Sequence, residues 1–130
     1  LGLVTKEREI PGLLSYWKDK LGLRDWNIVV EFVNKNDDRT GATCATNLIS
    51  GSTRDSKIDI LRVKNRKGLA LIPPFDYEVD LVHELIHIWV DKYWRPRSYN
   101  AIRRKEQFIE QLARGLVSMR RLEGGMGEIK

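Results

Sequence analysis

Asp80-Leu-Val-His83-Glu84-Leu-Ile-His87 is the stretch on which the reading of this chain turns. It lies in a run where Val82, Leu85, Ile86, Trp89, Val90 and Tyr93 recur at helical spacing. The run follows the breaker pair Pro73-Pro74, Asp76 suits the N-cap, and Glu78 and Asp80 complement the positive end of the helix dipole. Arg95-Pro96 is expected to stop it. A helix apolar over so much of its girth belongs at the centre of a fold, yet this one carries two imidazoles and a carboxylate. Spacing i, i+4 puts His83 and His87 on one face a turn apart, with Glu84 beside the first. The chain has only 2 histidines. A shuffle of its composition would reproduce this arrangement roughly once in a thousand tries, so the pattern is specific.

Working outward, Ile10, Leu13, Leu14, Trp17 and Leu21 share a helical face over Glu7 to Leu21, with Pro11 tolerable in the first turn. Trp26, Ile28, Val30 and Phe32 alternate with period two, which predicts a strand over Trp26–Val33 before the turn-rich run 34–41. Further strands are expected over Ala42–Ile49 and Lys57–Val63, and a short fourth over Leu69–Ile72. A last helix is expected from Ser98 or Asn100 to about Arg121, with Ile102, Ile109, Ala113, Leu116 and Val117 inward. Helix, three or four strands, helix, helix is an α+β layout. The 130 residues give one domain, 1–130, large enough to fold around its own core without disulfides.

With 42% hydrophobic and 32% charged residues and few Gly or Pro, disordered and low-complexity architectures are excluded. No stretch approaches the roughly 20 apolar residues of a membrane span, and the charged Lys6-Glu-Arg8 interrupts any signal-peptide run. The lone Cys44 favours a reducing compartment, so the expectation is cytoplasmic, conditional on what precedes Leu1.

Two imidazoles a turn apart match the spacing of two ligands of a tetrahedral Zn²⁺. Histidines serving only as structure would leave three polar groups to satisfy on a buried helix, at a cost of a few kcal/mol. A purely structural zinc site is rich in cysteine, which one Cys does not supply. A catalytic zinc needs a third protein ligand, and with no histidine left the candidates are a carboxylate or Cys44. Glu106 stands four residues after Ile102 and three before Ile109, interrupting the inward stripe of the last helix, where a ligand should sit. Glu110, one turn further, is placed to hydrogen-bond a ligand imidazole through its second nitrogen, or to be the ligand in place of Glu106; in a rotated register both are solvated charges.

His83-Glu84-x-x-His87 followed on a second helix by Glu106-x-x-x-Glu110 resembles the gluzincin branch of zinc metallopeptidases. The segment Glu106-Gln-Phe-Ile-Glu110-Gln-Leu-Ala113 is similar to the ligand helix of small single-domain phage-type and ImmA-like members. The resemblance covers about Asp80 to Ala113. It implies a minimal zincin-like fold and one zinc per chain held by His83, His87 and Glu106. Glu84 would be the general base for hydrolysis of a peptide bond, in the host cytoplasm if the chain is phage-encoded. The position of Glu110 is more often Asp or Asn in that branch. Tyr93, Tyr99, Arg95 and Arg97 are the candidate donors to the oxyanion, and the small-residue segment Gly41–Ile49 suits an extended peptide laid against a sheet edge.

A different reading starts from the net charge of +5. The clusters Arg62-Val-Lys64-Asn-Arg66-Lys67, Arg95-Pro-Arg97, Arg103-Arg104-Lys105 and Arg120-Arg121 suggest a nucleic-acid-facing surface. On that reading the chain is a metal-binding module that contacts nucleic acid, or a protease recruited to DNA in the manner of SprT-like proteins. The period of Trp17, Trp26, Trp89 and Trp94 places at least three of the four in the core rather than in base stacking.

Overall fold

A computed structural model describes residues 2–35, 44–66 and 74–129, with side chains up to 123. Helix α1 (Ile10–Lys20) follows a 3-10 turn at Glu7–Glu9 and carries Pro11 in its first turn, where a missing N–H costs nothing. It buries Ile10 and Trp17 and packs Leu13, Leu14 and Leu21 against the core. It ends at Gly22, whose φ of 69° only glycine adopts without strain and whose Cα faces the Trp89 ring.

Three strands follow, β1 (Asn27–Val33), β2 (Ala45–Ser50) and β3 (Asp55–Leu61), in the spatial order β1-β3-β2. β1 runs parallel to β3, with Ile28 opposite Ser56 and Phe32 opposite Ile60. β2 runs antiparallel to it, with Ala45 opposite Ile60 and Asn47 opposite Ile58. The alternation works as expected. Ile28, Ala45, Ile58 and Ile60 turn to the core, whereas Val29, Leu48 and Lys57 stand exposed on the far face. Asn47 and Ser56 therefore fall in the inward row, two polar residues among aliphatic ones. The expected fourth strand, Leu69–Ile72, and the start of the expected second strand lie outside the described residues.

Helix α2 (Tyr77–Val90) is the centre of the fold and packs against α1, β2, β3 and the last helix, α3 (Tyr99–Ile129). Its Asp76 cap accepts hydrogen bonds from the N–H groups of Glu78 (3.1 Å) and Val4 (3.3 Å). Leu81, Val82 and Leu85 are fully buried along it. α3 lies on the other side of α2 from the sheet and contributes Ile109, Ala113 and Val117 to the core. The architecture is α+β: a small mixed sheet and three helices. No helix among the described residues is long and apolar enough to cross a membrane.

Several expectations need correction. α2 stops at Val90, ahead of Arg95-Pro96, because the chain turns there, with the N–H groups of Tyr93 and Trp94 both donating to the Val90 carbonyl. Tyr93, 79% exposed, is thus beyond the helix and outside the core. Only Trp17 of the four tryptophans is buried. Trp26 is half-buried, while Trp89 and Trp94 reach solvent, since helical spacing near a helix end does not guarantee a neighbouring element. Ile102 in the first turn of α3 is likewise exposed, and α3 continues beyond Arg121 to Ile129.

At the far end of α2 from its histidines, Glu78 is completely buried and receives hydrogen bonds from Trp17 Nε1 (2.8 Å), Arg120 (2.7 Å) and Arg121 (3.1 Å). Arg121 also reaches Asp76 at 2.8 Å. This network ties α1, α2 and α3 together, and with Ile109, Ala113 and Val117 it fixes the rotation of α3. That rotation decides which carboxylates face the histidines.

Candidate metal centre

His83 and His87 lie on the α2 face turned to α3, their rings 5.2 Å apart and tilted by 42°. The inward stripe of α3 is broken at Glu106, and its carboxylate meets both rings. One oxygen is 2.9 Å from His83 Nε2, and the other is 3.1 Å from His87 Nε2. The remaining ring nitrogens are held from outside, His83 Nδ1 by Glu110 Oε1 at 2.9 Å and His87 Nδ1 by Asp91 Oδ1 at 2.8 Å. Both imidazoles are thus held through Nδ1, and both Nε2 atoms meet the Glu106 carboxylate.

Behind this shell a second set of contacts holds the orienting carboxylates. Lys105 Nζ lies 2.7 Å from Asp91 Oδ1 and donates to the Trp94 carbonyl at 2.8 Å, and Arg114 lies 2.8 Å from Glu110. Glu84 is 7% exposed, and Asn47 Nδ2 donates to its backbone carbonyl at 2.8 Å. Asn47 in turn accepts from Ser56 Oγ at 2.6 Å, so the two inward polar residues of the sheet brace the turn of α2 that presents Glu84.

The site is densely charged. Four carboxylates, Glu84, Asp91, Glu106 and Glu110, surround two imidazoles. Burial works against a charge on His83, but Glu106 and Glu110 outweigh it and raise its pKa to about 10. His87 is opposed by burial and raised by Glu106 and Asp91 in the same way. Glu106 is held far below the usual carboxylate range by the two rings. Burial pushes Glu84 up to about 7 even though both histidines pull it down. Metal ligation takes place at deprotonated ring nitrogens, so an ion at this site would displace any proton on Nε2.

The donor set fits such an ion. His83, Glu84 and His87 offer ligand atoms within 4.8 Å of one another. Tetrahedral N and O ligands at 2.0–2.1 Å from zinc stand about 3.3 Å apart. The 2.9 and 3.1 Å contacts to Glu106 are within a few tenths of that spacing. These atoms open into a cleft of about 1000 Å³, rimmed on the sheet side by Cys44, Thr46 and Asn47. Among the described residues β2 pairs only with β3, so its outer backbone edge lies along this rim.

Glu110 bonds His83 Nδ1 from one turn beyond Glu106. Cys44 lines the cleft with its thiol pushed up to about 11, chiefly by burial, and so stays protonated. Tyr93, Tyr99, Arg95 and Arg97 are not brought to the cleft: Tyr93 and Tyr99 project into solvent, and Arg95 lines a neighbouring groove. Sequence reasoning missed Asp91, although it follows His87 by one helical turn and the spacing used for the histidines would have found it. It also missed Asn47 and Ser56, whose roles depend on strand register.

No protein-family model, curated protein or solved structure matches the chain. The likeness to gluzincins therefore rests on the sequence motifs of residues 80–113 alone.

Proposed function

We propose that this protein is a zinc-dependent metallopeptidase in which His83, His87 and Glu106 hold the metal and Glu84 is the general base. The observation that carries the reading is the meeting of both Nε2 atoms on one carboxylate from a separate helix, while both Nδ1 atoms are tied by other carboxylates. Carboxylate–imidazole–metal arrangements of this kind fix the ring tautomer and raise ligand basicity. Held by His83, His87 and Glu106, a zinc ion would supply Lewis acidity, polarising a carbonyl and lowering the pKa of water to about 7.

The protein's own residues do the rest. Glu84, nearly buried beside both histidines and lining the cleft, is placed to move a proton there. Its carboxylate takes a proton from the attacking water as the C–O bond forms, then gives that proton to the leaving amine as the C–N bond breaks. Glu110 and Asp91 keep the rings in place through this exchange. Among the described residues the outer edge of β2 has no strand partner, and an extended peptide laid along it beside the cleft is the substrate class we infer. The unpaired Cys44 thiol suits a reducing compartment, and we assign the activity to the cytoplasm.

The test is a peptidase assay of the zinc-loaded protein on a mixed peptide library. Cleavage should be abolished by chelation and restored by zinc. Glu84→Gln should keep the metal while the rate falls by at least about 10²-fold. A wild-type protein that binds zinc yet cleaves nothing, or a Glu84→Gln variant of equal rate, would reject the enzymatic reading.

A further inference from the structure

The charge of this protein is not spread evenly. Residues 92–105, which join α2 to α3 and open α3, hold six Lys and Arg and no Asp or Glu. With +5 over the whole chain and +6 here, the rest of the sequence nets −1. The structure then separates the basic clusters by what each does. Arg62 is paired with Glu7, Arg66 is buried against Asp80, and Arg120 and Arg121 are taken up by Glu78 and Asp76. Lys105 is spent on Asp91. Lys92, Arg95, Arg97, Arg103 and Arg104 are all exposed, and none makes an ion pair among the described residues.

Aromatic rings interleave with these cations. Tyr93 and Tyr99 are 79% and 70% exposed. Lys92 Nζ sits 5.4 Å from the Trp89 ring and 5.0 Å from that of Tyr93, and Trp94 stacks edge-on against Phe108 with centroids 5.6 Å apart. Trp26, Trp89, Lys92 and Arg95 also line a groove of about 750 Å³ that shares Asn47 with the metal cleft. Its two carboxylates are already engaged, Asp25 by Arg54 and Asp91 by His87 and Lys105. The surface therefore combines unpaired cations, exposed ring faces and a concave track.

We propose that this surface docks single-stranded nucleic acid. A single strand offers one negative charge per nucleotide to the five free cations and unpaired bases to the rings, the combination by which strands are held without sequence preference. A duplex keeps its bases stacked and presents no faces to these rings. An acidic peptide answers the charge and leaves the aromatic faces unused. An anionic membrane is met by an amphipathic helix with a convex apolar face, whereas residues 91–98 form an irregular connector beside a groove.

Binding is read by fluorescence anisotropy of a labelled oligothymidylate of about 15 nucleotides, from 50 to 300 mM NaCl. The same measurement is made on a duplex of equal length and on vesicles containing phosphatidylserine. The single strand should bind tightest. The variant Arg95→Ala/Arg97→Ala/Arg103→Ala/Arg104→Ala should flatten the slope of log K against log salt by about 3, at roughly 0.7 per lost phosphate contact. Tyr93→Ala/Tyr99→Ala should weaken binding at least about fivefold per ring that stacks while leaving the slope unchanged. Lys20→Ala/Lys35→Ala/Lys64→Ala, which removes exposed cations elsewhere, should bind as the wild type does. All these side chains are exposed, so circular dichroism should be unaltered. The proposal is overturned by no binding at 50 mM NaCl, by equal or tighter binding of the duplex or the vesicles, or by patch variants that bind no worse than the lysine control.

Discussion

Replacing Glu106 and Glu110 one at a time by glutamine separates a ligand from an orienting residue, because the two carboxylates lie one helical turn apart and touch the same histidine. Glutamine keeps the shape of each side chain and removes its charge. At Glu110 the change removes the charge that meets His83 Nδ1 at 2.9 Å and Arg114 at 2.8 Å, and leaves both Nε2 atoms and Glu106 in place. Metal affinity should fall by roughly 10–100-fold, the usual consequence of losing a group that orients a ligand. At Glu106 the change removes the anion that faces both Nε2 atoms at 2.9 and 3.1 Å, so the loss should exceed about 100-fold. A 100-fold loss is about 2.8 kcal/mol of binding free energy. With zinc in excess the same amount disappears from the metal-linked stability of the fold. Competition with a chromophoric chelator reads the affinity, and unfolding with and without zinc reads the stability. Neither carboxylate is buried in the core, so both metal-free variants should fold. A Glu110→Gln variant that loses more zinc affinity than Glu106→Gln would reverse the two roles.

Further outcomes follow from the contacts around this pair. Asp91→Asn removes the charge beside His87 Nδ1 and should cost roughly 10–100-fold in zinc affinity with the helix content unchanged in circular dichroism. Asn47→Ala leaves the Glu84 carbonyl without its sheet-side donor and should lower stability by about 1 kcal/mol in urea unfolding, with a larger proportional effect on peptidase rate than on zinc affinity. Glu78→Gln, in the buried network at the other end of α2 from the histidines, should destabilise by about 3–5 kcal/mol, because Arg120 loses its charged partner and Arg121 keeps Asp76 alone. Burial raises the pKa of Glu78, but Arg120, Trp17 and Arg121 outweigh it, and the folded-state value lies below the ordinary one. The Glu78 contribution is therefore present above about pH 4.3 and lost as pH falls through the lowered value, so wild type should lose it on acidification and Glu78→Gln should not.

The helices were legible in the sequence where their apolar stripe was continuous. Ile10, Leu14 and Trp17 set α1, and Ile109, Ala113 and Val117 set α3 and with it the inward position of Glu106. The same argument failed where helices end. Tyr93, Trp94 and Ile102 keep the spacing of a buried face but lie at the α2–α3 connection and stay exposed there, Trp94 even though it meets the Phe108 ring. The histidine pair and Glu106 were accessible because their contacts follow from periodicity on two helices. Asn47 and Ser56 were not, since their bond exists only once Asn47 pairs opposite Ile58 and Ser56 opposite Ile49, a register that alternation alone leaves free. The fate of the basic clusters was equally hidden. Arg66 and Arg95 look alike in sequence, yet one is buried at 1% exposure against Asp80 and the other is open to solvent.

The central claim is that His83, His87 and Glu106 share one zinc ion, and diffraction from zinc-loaded crystals above and below the zinc absorption edge tests it most directly. The account predicts a single strong anomalous peak per chain, about 2.0–2.2 Å from His83 Nε2, His87 Nε2 and an oxygen of Glu106, with Glu110 and Asp91 still bonded to the Nδ1 atoms. An empty site in zinc-saturated protein, or a peak ligated by Glu110 with Glu106 turned to solvent, would contradict it.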